Sequence, residues 1–116
     1  MADPDRASAS NDPRRERRMV PRYSIIASAE IMEPVSGVRI AGRISELSRK
    51  GCYLDALINL PVGTAVQIRI SRDRGTFHSQ AKIIHVQERM GMGITFLNVP
   101  ADQLKLLDSW LAELNA

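Results

Sequence analysis

The chain is short of several things that carry chemistry. It has one cysteine, Cys52, which excludes a disulfide framework and a zinc site built from several thiolates. Aromatic residues fill 4% of its 116 positions, so few rings are available as stacking platforms. No apolar run approaches the roughly 20 residues that a membrane helix needs. The N-terminal stretch is polar and lacks the apolar segment of a secretory signal. There is no Gly-x4-Gly-Lys phosphate loop. Gly91 and Gly93 lack the later glycine and following helix of a dinucleotide motif. His78 and His85 are seven apart on one expected strand, and a regular strand would put them on opposite faces, away from a shared metal. Cys52 follows a turn glycine on an apolar strand face and reads as a small buried hydrophobe. No Ser/His/Asp or Cys/His set stands out, which points away from an enzyme. The expectation left by these absences is one soluble, cytoplasmic domain with no membrane insertion, no metal and no catalytic centre.

What is present is an ordinary globular balance, 44% hydrophobic and 25% charged. The formal net charge is +3, but it is not spread evenly. Between Arg14 and Arg22 there are five arginines and one glutamate, Glu16, so this block alone carries +4 and the remainder nearly cancels. Residues 1–13, rich in Asp, Ser, Ala and Pro, have no apolar period and read as a disordered tail. From Tyr23 the pattern alternates. Tyr23, Ile25, Ala27, Ala29 and Ile31 predict a first strand. Val38 to Ile44, Cys52 to Ala56, Val66 to Ile70, Thr76 to Val86 and Met92 to Phe96 predict five more. Ser45 to Gly51 reads as a polar connection. Leu104, Leu107, Leu111 and Leu114 then fall at helical spacing beside Trp110, with Asn98 as the expected N-cap. The fold class is therefore all-β with one C-terminal helix (about 100–114): a small six-stranded antiparallel barrel with the helix packed at a mouth or edge.

Two segments stand out. In Arg18-Met-Val-Pro-Arg22, each guanidinium offers a planar fork that binds phosphate bidentately and matches the O6 and N7 acceptors of guanine. Pro21 holds Val20 extended and so sets how the two arginines project. Arg14 and Arg18 have the same spacing, but Arg18 and Arg22 abut the first strand. In Glu46-Leu-Ser48-Arg49-Lys50-Gly51, a carboxylate suited to the N1–H and N2–H donors of guanine stands near a hydroxyl and a turn glycine. The plainer readings are a solvated basic linker and a turn capped by Ser48 in which Gly51 supplies a positive φ.

Taken in order, these segments resemble the PilZ domain family, the bacterial receptors for cyclic di-GMP. The shared layout is an Arg-x-x-x-Arg arm, an Asp/Asn-x-Ser-x-x-Gly turn, a Pro-x-Gly turn, a Gly-x-Gly-Ile-x-Phe last strand and a terminal helix. The resemblance covers about Arg14 to Leu114. It implies a six-stranded PilZ-like barrel of the split-barrel type over residues 23–116, entered by a basic arm over 14–22. It implies cyclic di-GMP as ligand and no further cofactor. Arg18 and Arg22 would grip its phosphates and guanine faces, Arg17 would add charge, and Ser48 and Gly51 would meet it from the barrel. Glu46 departs from the pattern, since the family has Asp or Asn there. Its carboxylate reaches about 1.5 Å further. It can accept from guanine after a shift, or pair with Arg18 or Arg22 when no ligand is present. The implied function is a receptor whose arm is ordered by ligand and whose changed surface is read by a downstream protein. The alternative is a PilZ-like interaction module that no longer binds the nucleotide. A nucleic-acid partner is disfavoured, because Tyr23 is the only ring near the arginines in sequence.

Overall fold

Alternating burial organises the chain into strands. The structure, a computed structural model, describes residues 20–116. Its elements are β1 (Arg22–Met32), β2 (Arg39–Ser48), β3 (Gly51–Asp55), β4 (Ala65–Arg72), β5 (Gly75–Gln87), β6 (Gly91–Leu97) and one helix, α1 (Ala101–Leu114). The strands form a closed barrel in the order β1-β2-β3-β6-β5-β4, with β4 pairing back onto β1 and every pair antiparallel. Closure satisfies both edges of what would otherwise be an open sheet. This is the expected six-stranded all-β barrel with a C-terminal helix. The tail over 1–13, and Arg17 and Arg18 of the arm, lie outside the described residues.

The inward residues of each strand fill the barrel. Ile31, Ile44, Leu54, Ile70, Phe77 and Ile83 are completely buried. Phe77 stacks at a tilt on Phe96 with centroids 4.9 Å apart, and it also faces Trp110 of α1 at 6.4 Å. The helix packs chiefly on β5 and buries Gln103, Leu107 and Trp110. Arg72 secures its far end. Its Nη1 donates to Glu113 Oε1 at 2.6 Å, and its guanidinium lies over the Trp110 ring at 6.0 Å. Trp110→Ala should therefore destabilise the protein by about 3–4 kcal/mol. Equilibrium urea unfolding reads this directly, and a loss below about 1 kcal/mol would show that the helix is not part of the cooperative core.

Three expectations are corrected. First, Ser45 to Ser48 is not a connection: β2 runs through it, and only Arg49 and Lys50 form the turn before β3. A register shift between Ile44 and Glu46 breaks the alternation and turns both Ser45 and Glu46 outward, while Leu47 is completely buried. Second, Asn98 is not the helix N-cap. It has a φ of 51° and donates from its amide to Gln80, and Pro100 takes the cap position. Third, His78 and His85 do not fall on opposite faces. A bulge between Ile83 and His85 changes the parity of β5, so both histidines are exposed on the outer surface.

Candidate ligand pocket beside the β2–β3 turn

Strand register brings the sequence-predicted residues together. Arg22 opens β1 opposite Ser48, the last residue of β2, and Ser24 pairs with Glu46. Arg22 Nη1 lies 3.6 Å from Glu46 Oε1, with the two side chains 45% and 47% exposed. Water screens such a pair, which contributes about 1 kcal/mol or less. Glu46 is thus engaged with the arginine at the base of the arm.

Ser48 and Gly51 are set by the turn itself. The Ser48 hydroxyl accepts the backbone N–H groups of Lys50 and Gly51, each at 3.2 Å, and donates to the Gly51 carbonyl at 3.3 Å. Those three bonds use its donor and both lone pairs. Gly51 does not have a positive φ, contrary to the turn reading of the sequence. It is required by close approach instead, since a Cβ there would lie 2.0 Å from the Ile94 carbonyl oxygen. The next residue back is anchored too: the Lys50 carbonyl accepts from Phe96 N at 2.8 Å and from Thr95 Oγ1 at 3.2 Å.

Arg22, Glu46, Ser48 and Gly51 line one pocket of about 290 Å³. Four of the six residues singled out in the sequence therefore share a cavity; Arg17 and Arg18 are not among the described residues. Two larger grooves, of about 570 and 480 Å³, flank exposed Leu57 beyond the other end of β3 and hold none of the six. Buried Cys52 also borders the pocket, and desolvation pushes its thiol well up, so it stays protonated and unreactive. Among the described residues no group of three potential metal ligands is clustered, and no helix is long and apolar enough to cross a membrane.

The sequence model of one protein family, described as the PilZ domain, matches residues 12–113. The chain belongs to the PilZ domain family. No curated protein matches it. Among solved structures, this PilZ domain resembles the PilZ domain with c-di-GMP of YcgR from Escherichia coli, with 21% identity and a TM-score of 0.71 over 85% of this chain and 92% of that one. It also resembles YcgR in complex with c-di-GMP (24% identity, TM-score 0.73), where the match covers 85% of this chain and 46% of that chain. A third is the inhibitor of motility MotI/DgrA of Bacillus subtilis, at 15% identity and a TM-score of 0.70, over 85% of this chain and 52% of that chain. At these identities the likeness is one of fold. This PilZ domain spans about half the length of the two larger proteins.

The pocket also contains residues that the sequence did not assign to the ligand: Lys50, Tyr53, Ile84, His85, Gly93 and Thr95. Tyr53 corrects the view that Tyr23 is the only nearby ring, because β3 carries it beside Glu46. Lys50 belongs to the turn segment and Gly93 and Thr95 to the Gly-x-Gly-Ile-x-Phe strand, but no sequence signal tied Tyr53, Ile84 or His85 to the arginines. They are distant from the arginines along the chain and meet them only through the pairing of β2, β3, β6 and β5.

Proposed function

We propose that this PilZ domain is a cyclic di-GMP receptor that performs no chemistry of its own. The observation that carries the reading is the convergence of Arg22, Glu46, Ser48 and Gly51 on one pocket. Arg22 supplies a half-exposed guanidinium for a phosphate. Glu46 supplies acceptors for guanine N–H donors once its pair with Arg22 opens. A pocket of about 290 Å³ is small for a whole ligand of this kind. Arg17 and Arg18 of the arm supply the remaining contacts, and the ligand draws the arm against the barrel. The turn is linked to the helix, since Arg49 Nε donates to Asp108 Oδ1 of α1 at 3.1 Å. That link gives ligand binding a route to the surface read by a downstream protein partner. A nucleic-acid role is disfavoured, as Tyr53 is the one aromatic residue of the Phe, Tyr or Trp type lining the pocket.

The Arg22–Glu46 pair supports a second reading, in which glutamate occupies the arginine permanently and the barrel is a ligand-free interaction module. Calorimetric titration with cyclic di-GMP at two salt concentrations, with GTP as control, separates the two. Saturable binding at micromolar affinity or tighter, weaker at the higher salt and absent for GTP, is the expected result. No heat at either salt would sink the receptor reading in favour of the ligand-free one.

A further inference from the structure

Three loops close the end of the barrel away from the ligand pocket: β1–β2 (33–38), β3–β4 (56–64) and β5–β6 (88–90). The pocket lies at the Gly51 end of β3, and the antiparallel order places all three loops beyond its Asp55 end. Six of the nine large apolar side chains left exposed among the described residues are on these loops: Val35, Val38, Leu57, Ile58, Val62 and Met90. Apolar side chains exposed singly need no explanation, but their collection at one end does.

The loop that carries three of them is held firmly. Asn59 ties it to the β5–β6 turn: its amide donates to the Ala56 carbonyl at 3.3 Å, and its Oδ1 accepts from Arg89 N at 3.1 Å. Ala56 N donates to the Met90 carbonyl at 3.1 Å, and Gly63 N to the Ile83 carbonyl at 2.7 Å. Leu60 turns inward and packs against the core. With the backbone pinned in this way, Leu57 and Ile58 stand out, 80% and 70% exposed. A face that is already ordered loses little further freedom when it is covered.

Its relief is a ridge between two grooves, both bordered by Leu57. The groove of about 480 Å³ is lined by Ala41, Ile58 and Met90 and carries Arg39 and Asp55. The groove of about 570 Å³ lies against Pro61 and Val86 and carries Glu88 and Arg89. Each groove thus has one guanidinium and one carboxylate, and together they carry no net charge. An apolar ridge beside an apolar groove fits itself across a two-fold axis, each copy's ridge entering the other's groove. The balanced charges act the same way: a second copy meets no net repulsion, and guanidinium can face carboxylate. A strongly acidic or basic partner finds no complementary field here, and a flat bilayer leaves both grooves unfilled.

We propose that this face is the two-fold interface of a homodimer, with Leu57 of each copy seated against Ile58 and Met90 of the other. The two ligand pockets then lie at the far ends of the dimer, both open, so association is independent of nucleotide and of the cyclic di-GMP reading. The exposed apolar side chains offer less than the roughly 800 Å² per partner of a standard interface, so the dimer is a weak one, with a Kd on the order of 10–100 µM.

Sedimentation equilibrium of the full chain, from about 5 to about 500 µM, tests this. Thermal melts by circular dichroism confirm that each variant is folded. The parent's mass should rise with concentration from that of one chain towards that of two. Leu57→Glu sets like charges face to face and should weaken association at least about tenfold. Glu88→Arg and Arg89→Glu each leave their groove with one sign of charge, so each should self-associate less than the parent. An equimolar mixture of these two should associate more tightly than either alone, the mark of a face that meets its own copy. A parent that stays monomeric throughout would overturn the dimer, and its sedimentation with phosphatidylcholine vesicles would assign the face to a bilayer instead. Equal dimerisation by the parent and Leu57→Glu would overturn the placement, as would a mixture no tighter than its components.

Discussion

Arg22→Ala should lose cyclic di-GMP affinity by about a hundredfold and melt within a few degrees of the parent. The two halves of this expectation have separate causes. Arg22 begins β1 at the barrel rim, with its side chain 45% exposed and its ion pair to Glu46 at 3.6 Å. Removing a screened surface pair changes stability by about 1 kcal/mol at most. No buried apolar contact goes with it, because the core residues of β1 begin at Ile25. The ligand loses more. Two charge-assisted hydrogen bonds from one guanidinium to a phosphate, each worth about 1.5–3 kcal/mol, account for a hundredfold or greater loss. Calorimetry and a thermal melt on the same preparation check both halves. Retained affinity would remove Arg22 from the site, and a collapse in melting temperature would make it a structural residue.

The parts of this molecule that were legible in the sequence are those in which one strand face is buried without interruption. Ile25, Ala27, Ala29 and Ile31 are all buried on alternate positions of β1, and Val66, Ile68 and Ile70 repeat this on β4. Period two is then a direct record of burial. Legibility failed where a bulge inserts a residue. Glu46 and Ser48 were read as a connection because Ser45 interrupts the alternation, yet buried Leu47 between them keeps the segment in β2. His85 was assigned the wrong face because Ile84 is the inserted residue on β5. These irregularities lie at the level of the pocket, as does a third on β1 between Ser24 and Ala27. Bulges re-aim side chains beside functional sites, so the features that defeated a regular pattern are the ones that shape the candidate site. The motif residues were found because they carry charge and glycine at fixed spacing. Tyr53 and His85 were missed because ordinary residue types became neighbours only through the ring of strands.

A second large effect on the fold, after that of Trp110→Ala, is expected at Gly51. Gly51→Ala should destabilise the protein by about 3 kcal/mol, since the new Cβ would lie 2.0 Å from a backbone oxygen, that of Ile94. Backbone cannot rotate away as a side chain can, so β3 and β6 must separate at the start of β3, where Gly51 pairs with Thr95. The same movement strains the Lys50 carbonyl, which holds Phe96 N and Thr95 Oγ1. It also strains the Ser48 hydroxyl, which closes the turn. A drop in melting temperature of more than about 10 °C is the expected reading. The consequence for the site follows from geometry. Where the variant is partly unfolded, cyclic di-GMP binding falls whether or not the glycine touches the ligand, because Ser48 and Glu46 depend on the same ladder. Affinity measured at a temperature where the variant is fully folded separates the two roles. If it matches the parent there, Gly51 serves the close approach of β3 to β6, and ligand contact falls to its neighbours. If it remains weak in the folded state, the bare backbone at Gly51 is itself part of the recognition surface.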